Sequence, residues 1–422
     1  MADELAVWLY GAQVALIDEE RHRLRLTYSA EALSRYPLGT PLLSLVLPVQ
    51  PERHSDRVVR PFLDGLLPEG QSRLAIAYDF DLPASDTLGL LRAIGRDCAG
   101  ALVIQPANEP TPPPDSARRA EPLSDAEIER LVADLRTAPL GIGERVRISL
   151  GGVQEKLVLT EMPDGSWGRP VDGTPSTHIL KPEIARFPST VENEAFCMRI
   201  AQHLGLRVAT VHTTRIAGRK LLVVERYDRV RHTDGTVERI HQEDLCQATG
   251  APPEKKYEEH GGPSLRRIAQ VLQGAAAPGV LDDLLRAVTM NLLIGNGDAH
   301  AKNFSILHSA SGALTLAPLY DLLCTLHYGD DRLAMAIDGV SNTDQVTAAR
   351  IAAEASRWGM SRTRATEMID DLLDRSTDAI AAARDETNDL PDAIVATVRR
   401  QLRHLRPAPT RARERSMHTR SQ

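Results

Sequence analysis

The stretch Gly295-Asn296-Gly297-Asp298-Ala299-His300-Ala301-Lys302-Asn303-Phe304 decides how this chain is read. Asp298 and Asn303 stand five positions apart, and phosphoryl transfer explains that pairing. One carboxylate aligns an acceptor hydroxyl and takes its proton, while a nearby amide oxygen holds a hard magnesium ion. A second carboxylate is then needed for metal that bridges nucleotide phosphates. Asp321 in Leu319-Tyr320-Asp321 follows two short strand-like stretches, where such a ligand belongs. The bland alternative is a turn residue, a cap and an exposed acid. It must produce the same three residue types in this order and spacing by chance.

Working upstream, Lys181 ends the apolar strand His178-Ile179-Leu180 and places an ammonium where α and β phosphates would lie. The following helix offers Glu192 or Glu194 as its partner. Ser189 and Glu192 have capping-box spacing, so Glu194 is the expected partner. Leu221–Val224 lead into Glu225-Arg226-Tyr227, a natural hinge whose backbone suits an adenine. Before all of these stands Ser149-Leu150-Gly151-Gly152-Val153-Gln154-Glu155-Lys156. Its two glycines let backbone N–H groups approach phosphate, and Lys156 adds a charge. The loop departs from Gly-x-Gly-x-x-Gly and is a weak signal alone. The order loop, lysine, glutamate, hinge, Asp/Asn loop and second aspartate is nevertheless that of a protein kinase.

The rest of the chain frames this site. Its 422 residues suggest two or three domains, and 42% hydrophobic with 25% charged residues is an ordinary globular composition. A net charge of −7 excludes a uniformly basic nucleic-acid coat, and 4% aromatic residues leave little for base stacking. Cys98, Cys197, Cys246 and Cys324 are too dispersed for a zinc ribbon or disulfide framework and read as buried thiols. Asp3 and Glu4 stand where a signal peptide would be basic. The longest apolar stretch, near Leu42–Val49, is far short of a membrane span. A cytoplasmic protein without membrane contact is expected.

Alternating strands are expected at Ala6–Tyr10 and Leu24–Tyr28, with a helix over Ser85–Ile94 capped by Ser85. Six prolines between Pro106 and Pro122 read as a linker that resists helix and strand. Ser124 and Glu127 then form a capping box that restarts the fold. The expected fold class is α+β: a protein-kinase-like bilobal fold with a strand-rich N-lobe, an all-helical C-lobe and an extra small α/β N-terminal subdomain. The boundaries are 1–105 for that subdomain, 106–123 for the linker, 124–227 for the nucleotide-binding lobe and 228–405 for the catalytic lobe. Residues 406–422 form a basic, disordered tail.

Several ordered motifs together resemble one family. SLGGVQEK, THILK, ENEAFCMRIAQHLGL, LLVVERYDR, HQEDLCQATG, GNGDAHAKNFS and LAPLYD look like the HipA serine/threonine kinases, toxins of bacterial toxin–antitoxin pairs. FLDGLLPEG (62–70) and LLRAIGRDCAGAL (90–102) extend the likeness into the N-terminal block. The resemblance implies ATP and magnesium as cofactors, Asp298 as catalytic base, Lys181 on the phosphates, and Asn303 and Asp321 as metal ligands. It places Gly151, Gly152, Val153, Gln154, Glu155 and Lys156 along the nucleotide, with Glu225, Arg226 and Tyr227 as hinge and Tyr320 nearby. His300 and Lys302 either touch phosphate or support the loop. Ser149 matches the serine that family members autophosphorylate, which expels the loop; a phosphoserine of about −1.5 to −2 charges would repel nucleotide phosphates.

The implied partners are a HipB-like antitoxin, through which DNA is reached, and a protein substrate such as a glutamyl-tRNA synthetase. Two rivals stand beside this reading: a kinase-fold small-molecule phosphotransferase, and a catalytically silent co-repressor scaffold. The Ser149 loop opposes the first and the retained phosphotransfer residues oppose the second. His241-Gln242-Glu243-Asp244 reads as a fold-stabilising network, and the arginines from Arg399 onward as a solubilising end or an added attraction to DNA.

Overall fold

The computed structural model describes residues 4–406, apart from 116–118, 136–137, 142–147, 153, 217, 276 and 310–312. Val153 of the phosphate loop and residues 407–422 of the basic tail therefore lie outside the described residues. The N-terminal subdomain opens with β1 (Leu5–Leu9), β2 (Ala12–Glu20) and β3 (Arg23–Tyr28), an antiparallel meander. β2 fills the space that the sequence left between two strands, and Tyr10 and Gly11, both at positive φ, make the first turn. Helices α1 (Ala30–Arg35), α2 (Asp56–Leu66), α3 (Gly70–Asp79) and α4 (Thr87–Ile94) follow. Asp86, not Ser85, caps α4, its carboxylate accepting from Gly89 N. β4 (Asp97–Cys98) and β5 (Leu102–Pro106) close the unit, giving the sheet order β3-β2-β1-β5.

The proline-rich stretch is not wholly unstructured. β6 (Glu121–Pro122) joins the nucleotide lobe's sheet as its last strand, the position where a residue without an N–H is tolerated. α5 (Asp125–Ala133) carries the predicted capping box between Ser124 and Glu127. β7 (Ile148–Ser149) pairs in parallel with β4, and Leu140, Ile148 and Leu150 belong to the N-terminal core. The expected boundary between subdomain and lobe is thus crossed by a shared core. β8 (Leu157–Glu161) and β9 (Trp167–Arg169) form a hairpin over Pro163-Asp164-Gly165, with β9 the strand missed in sequence.

β10 (His178–Pro182), α6 (Thr190–His203), β11 (Val211–Ile216) and β12 (Arg219–Glu225) complete the sheet β11-β12-β10-β8-β9-β6. The strand period of two separates its faces. Leu159, Leu180, Leu221 and Val223 bury against α5, while Ile179 and Lys181 face the cleft side with α6. Ser189 does not cap α6: it sits at φ +61 with no side-chain cap bond, and Glu192 instead pairs with Lys220.

The catalytic lobe contains β13 (Arg229–Arg231), β14 (Val237–Arg239), β15 (His241–Asp244), α7 (Leu245–Thr249), α8 (Leu265–Ala275) and α9 (Val280–Ile294). β16 (Ser305–His308), β17 (Leu314–Leu316), β18 (Arg332–Ile337), β19 (Val340–Asn342), α10 (Ala348–Arg357), α11 (Arg362–Glu386) and α12 (Asp392–Leu405) follow. The lobe is therefore not all-helical. A three-stranded sheet β15-β16-β17 and the hairpin β18-β19 lie among the helices; β16 and β17 are the two short strand-like stretches that precede Asp321. Arg399, Arg400 and Arg403 belong to α12 and not to a tail, and Arg406 pairs with Asp374. Among the described residues no helix is long and apolar enough to cross a membrane.

The His241 network is structural, as expected. His241 Nε2 meets Leu43 O at 2.9 Å, and Glu243 accepts from Ser44 Oγ at 2.5 Å and Leu45 N at 2.9 Å, pinning the N-terminal subdomain to β15. Burial, then the neighbouring His308, pushes His241 down to about 3; burial pushes His178 down to about 4. Both imidazoles are neutral when folded but titrate near 6.5 when unfolded. The unfolded chain binds more protons below that pH, so stability falls on acidification from about 6.5 toward 4. At about pH 5 the loss is at most about 2 kcal/mol per imidazole. Chemical denaturation of wild type and His241→Gln at pH 7 and 5 checks this, the variant showing the shallower fall.

Candidate active site

Lys181 Nζ lies 2.7 Å from Glu194 Oε1 and 2.7 Å from Asp321 Oδ1, joining strand, helix and catalytic lobe at one point. Glu194 is the lysine's partner, as expected, although Glu192 is engaged by Lys220 and not by a cap. Burial raises the Glu194 carboxyl and Lys181 only partly offsets it. Burial would also raise Asp321, but the Lys181 ammonium outweighs it and holds that carboxyl at about 2. Asp321 sits at φ +57, an unusual conformation for a non-glycine residue, of the kind that surrounding structure imposes at sites of chemistry. Its side chain keeps 39% exposure, so the carboxylate opens to the cleft.

The catalytic loop is delivered by α9, which ends at Gly295 with φ +69. Asn296 Nδ2 donates to Asn291 Oδ1 at 2.8 Å, and Gly297 N donates to Thr325 Oγ1 at 2.7 Å. A Cβ at Gly297 would lie 2.3 Å from Arg332 O, so the close approach needs glycine. Asp298 Oδ1 accepts the Tyr257 hydroxyl at 2.6 Å, and burial pushes its carboxyl up to about 6. Asn303 Nδ2 donates to Asp298 O at 3.0 Å, so Oδ1 is the Asn303 atom that could hold a metal.

Of the two other loop residues, one is engaged away from nucleotide. Lys302 is buried; its ammonium meets Asp244 Oδ2 at 2.8 Å and Gly65 O at 3.2 Å, and therefore braces the loop. His300 is buried with Nδ1 unpartnered, its ring edge-on to Tyr257 at 5.2 Å, and burial pushes it down to about 4. It is placed to meet a ligand or the loop.

The phosphate loop begins in β7. Ser149 is fully buried and donates to Leu66 O at 2.8 Å, so it is a packed strand residue and not a member of an exposed loop. Gly152 has φ +107, a conformation that favours glycine. Lys156 Nζ donates to Gly151 O at 2.5 Å, and burial, then Lys181, pushes it down to about 8. Gln154 and Glu155 are half-buried beside it.

β12 ends at Glu225, and the side chains of Arg226 and Tyr227 that follow are engaged within the protein. Glu225 N and Arg226 N donate to Thr210 O and Thr177 O, both at 2.9 Å. The Arg226 guanidinium turns toward the N-terminal subdomain, 2.7 Å from Asp228 Oδ2, 2.7 Å from Ser176 Oγ and 3.5 Å from Asp97. The Tyr227 ring packs on Tyr320 at 5.6 Å, and the Tyr320 hydroxyl donates to Lys302 O at 2.6 Å, so both hydroxyls face the lobe interior.

Sequence reasoning missed Tyr257, Asp244, Glu69 and Asp97 as partners of the site. Asp244, Glu69 and Asp97 lay inside quoted motifs without a role at the site, whereas nothing marked Tyr257.

The donors left free suit magnesium. Asn303 Oδ1 and the Asp321 carboxylate are hard oxygens, and magnesium is commonly held by one or two carboxylates together with substrate phosphates. Among the described residues no group of three or more His, Cys, Asp or Glu could hold a metal ion.

Fold and site together define a phosphotransferase of the serine/threonine-protein-kinase class. A family model described as the HipA-like C-terminal domain matches residues 148–380, and one for the HipA N-terminal domain matches residues 5–105. The chain belongs to the HipA family. It is 42% identical over 401 residues to the putative kinase Y4mE of Sinorhizobium fredii, covering 92% of this chain and 93% of that one. It is 33% identical over 339 residues to the serine/threonine-protein kinase toxin HipA of Shewanella oneidensis, covering 76% of each. The solved complex of Shewanella oneidensis HipA, HipB and operator DNA superposes with TM-score 0.80 at 28% identity over 95% of each chain.

Proposed function

We propose that this protein is the kinase toxin of a HipBA-like module, transferring the γ-phosphoryl group of ATP to a serine or threonine hydroxyl. The observation that carries the reading is the Lys181–Glu194–Asp321 junction, facing a cleft that also holds Asp298 and Asn303. Asp298 orients the acceptor hydroxyl and takes its proton; its carboxyl, raised by burial, is matched to a base working near neutral pH. Lys181 is held by Glu194 in position for the α and β phosphates, which take the place of Asp321 beside it. Bound magnesium, on Asn303 and Asp321, would neutralise charge on the phosphates. Catalysis is otherwise positioning and charge stabilisation.

The protein substrate belongs to translation, a glutamyl-tRNA synthetase being the implied type. A HipB-like antitoxin restrains the toxin and carries it to DNA, consistent with the partners in the Shewanella oneidensis complex. Ser149 is the self-phosphorylation site. Because its hydroxyl is buried against Leu66, β7 must separate from β4 before phosphate is accepted. Incubation with ATP and magnesium followed by phosphopeptide mapping tests the scheme. Phosphate on Ser149 is expected, with greater trypsin sensitivity of the loop around it. Absence of transfer to the chain itself and to any lysate protein sinks the proposal.

A further inference from the structure

One corner of the N-terminal subdomain reaches both loops of the proposed phosphotransfer site. Helix ends leave carbonyls without intrahelical partners, and at the end of α2 the kinase lobes supply them. Gly65 O accepts from Lys302 Nζ at 3.2 Å, and Leu66 O accepts from Ser149 Oγ at 2.8 Å. The negative end of the helix dipole favours the Lys302 ammonium there. Glu69, just before α3, donates its N–H to Gly152 O at 3.2 Å. Its carboxylate accepts from Lys256 Nζ at 3.1 Å and faces Lys302 Nζ at 3.7 Å. The Glu69 side chain is only 14% exposed, and its Oε1 is buried with no hydrogen-bond partner. Lys256 immediately precedes Tyr257, whose hydroxyl holds Asp298.

We infer that Glu69 is a positioning residue of the kinase: through it the N-terminal subdomain fixes the phosphate loop and the catalytic loop relative to one another. The inference rests on the kinase reading above, and Glu69 itself touches neither nucleotide nor substrate. A subdomain that merely packed beside the kinase would have no reason to bury a carboxylate between two lysines of the catalytic lobe. Such burial is costly unless the charges are paired, and the pairs it makes here are directional. Removing the charge while keeping the shape should leave the fold and loosen the two loops.

The test uses the full chain with Glu69→Gln, and Glu69→Asp as the conservative variant. Steady-state phosphotransfer gives kcat and the KM for ATP, and hydrogen exchange reports on segments 148–156 and 296–304 against the sheet of β1–β3. Glu69→Gln is expected to lower kcat by roughly tenfold to a hundredfold, the scale of an ångström-sized misplacement. Exchange should quicken in both loops with the β1–β3 sheet unchanged, and Glu69→Asp should recover part of kcat. Wild-type kcat and wild-type loop exchange in Glu69→Gln would overturn the inference, as would faster exchange throughout the sheet, which signals general loosening. If the wild type transfers no phosphate, the kinase reading fails, while the comparison of loop exchange still decides whether Glu69 couples the two segments.

Discussion

Asp298→Asn should lower phosphotransfer by about 10²- to 10⁴-fold, the range that general-base catalysis contributes. The substitution is nearly isosteric. Its Oδ1 can still accept the Tyr257 hydroxyl, and the main-chain carbonyl that receives Asn303 Nδ2 is untouched. The fold and the nucleotide pocket should therefore persist, and binding of ATP with magnesium, measured by titration calorimetry, should change little. What disappears is the atom that takes the proton. Loss confined to kcat supports Asp298 as base; a variant that transfers phosphate at the wild-type rate removes it from the mechanism. A rise in KM alone would recast it as a binding residue.

Asp97→Asn should cost about 3 to 5 kcal/mol of folding stability, the scale seen when one partner of a buried charge network is removed. Asp97 is fully buried and receives Arg229 at 3.0 Å, Arg239 at 3.3 Å and Arg226 at 3.5 Å, together with the hydroxyl and N–H of Ser176. Without its charge, Arg226 and Arg229 are left to share Asp228, and Arg239 keeps only the partly exposed Asp115, 3.2 Å away. Burial alone would raise the Asp97 carboxyl; the three arginines outweigh it and hold it below the ordinary carboxylate value. Its stabilisation is thus complete above about pH 4 and is lost as pH falls through the folded value. Denaturant midpoints, read at constant slope, should fall sharply for Asp97→Asn at pH 7, with a smaller difference from wild type in acid. An unchanged midpoint would mean that the cluster relaxes without its central anion.

Local signals carried much of this architecture. The Ser124–Glu127 box states its role within a few residues and forms as read. The Lys181–Glu194 pair was legible because a shared chemistry fixes residue types in a known order; the Lys181–Asp321 contact was not. The failures are non-local. Ser189 has the right neighbour for a cap, but Lys220, on a distant strand, claims Glu192. Lys302 reads equally as a phosphate contact or a loop support until Asp244 and Gly65 are brought to it by folding. Ser149 reads as a loop serine because the two-residue strand β4 that covers it has no periodicity to reveal it. Tyr257 lies 41 positions from Asp298, and no local pattern marks a phenol as the partner of a base.

The six-stranded sheet ends on one side in β6, two residues long with Pro122 as one of them, and on the other in β11. Neither edge offers a good template for another chain. The proline has no N–H to donate, and a two-residue strand gives an incoming strand little to align against. β11 presents His212, Thr213, Thr214 and Arg215, polar or charged, with Arg215 tethered 3.2 Å from Asp389. The separation of β7 from β4 proposed for phosphorylation of Ser149 would leave both margins of this sheet as they are, since β7 and β4 pair outside it. Unlatching of that kind would thus be kept apart from strand exchange between molecules.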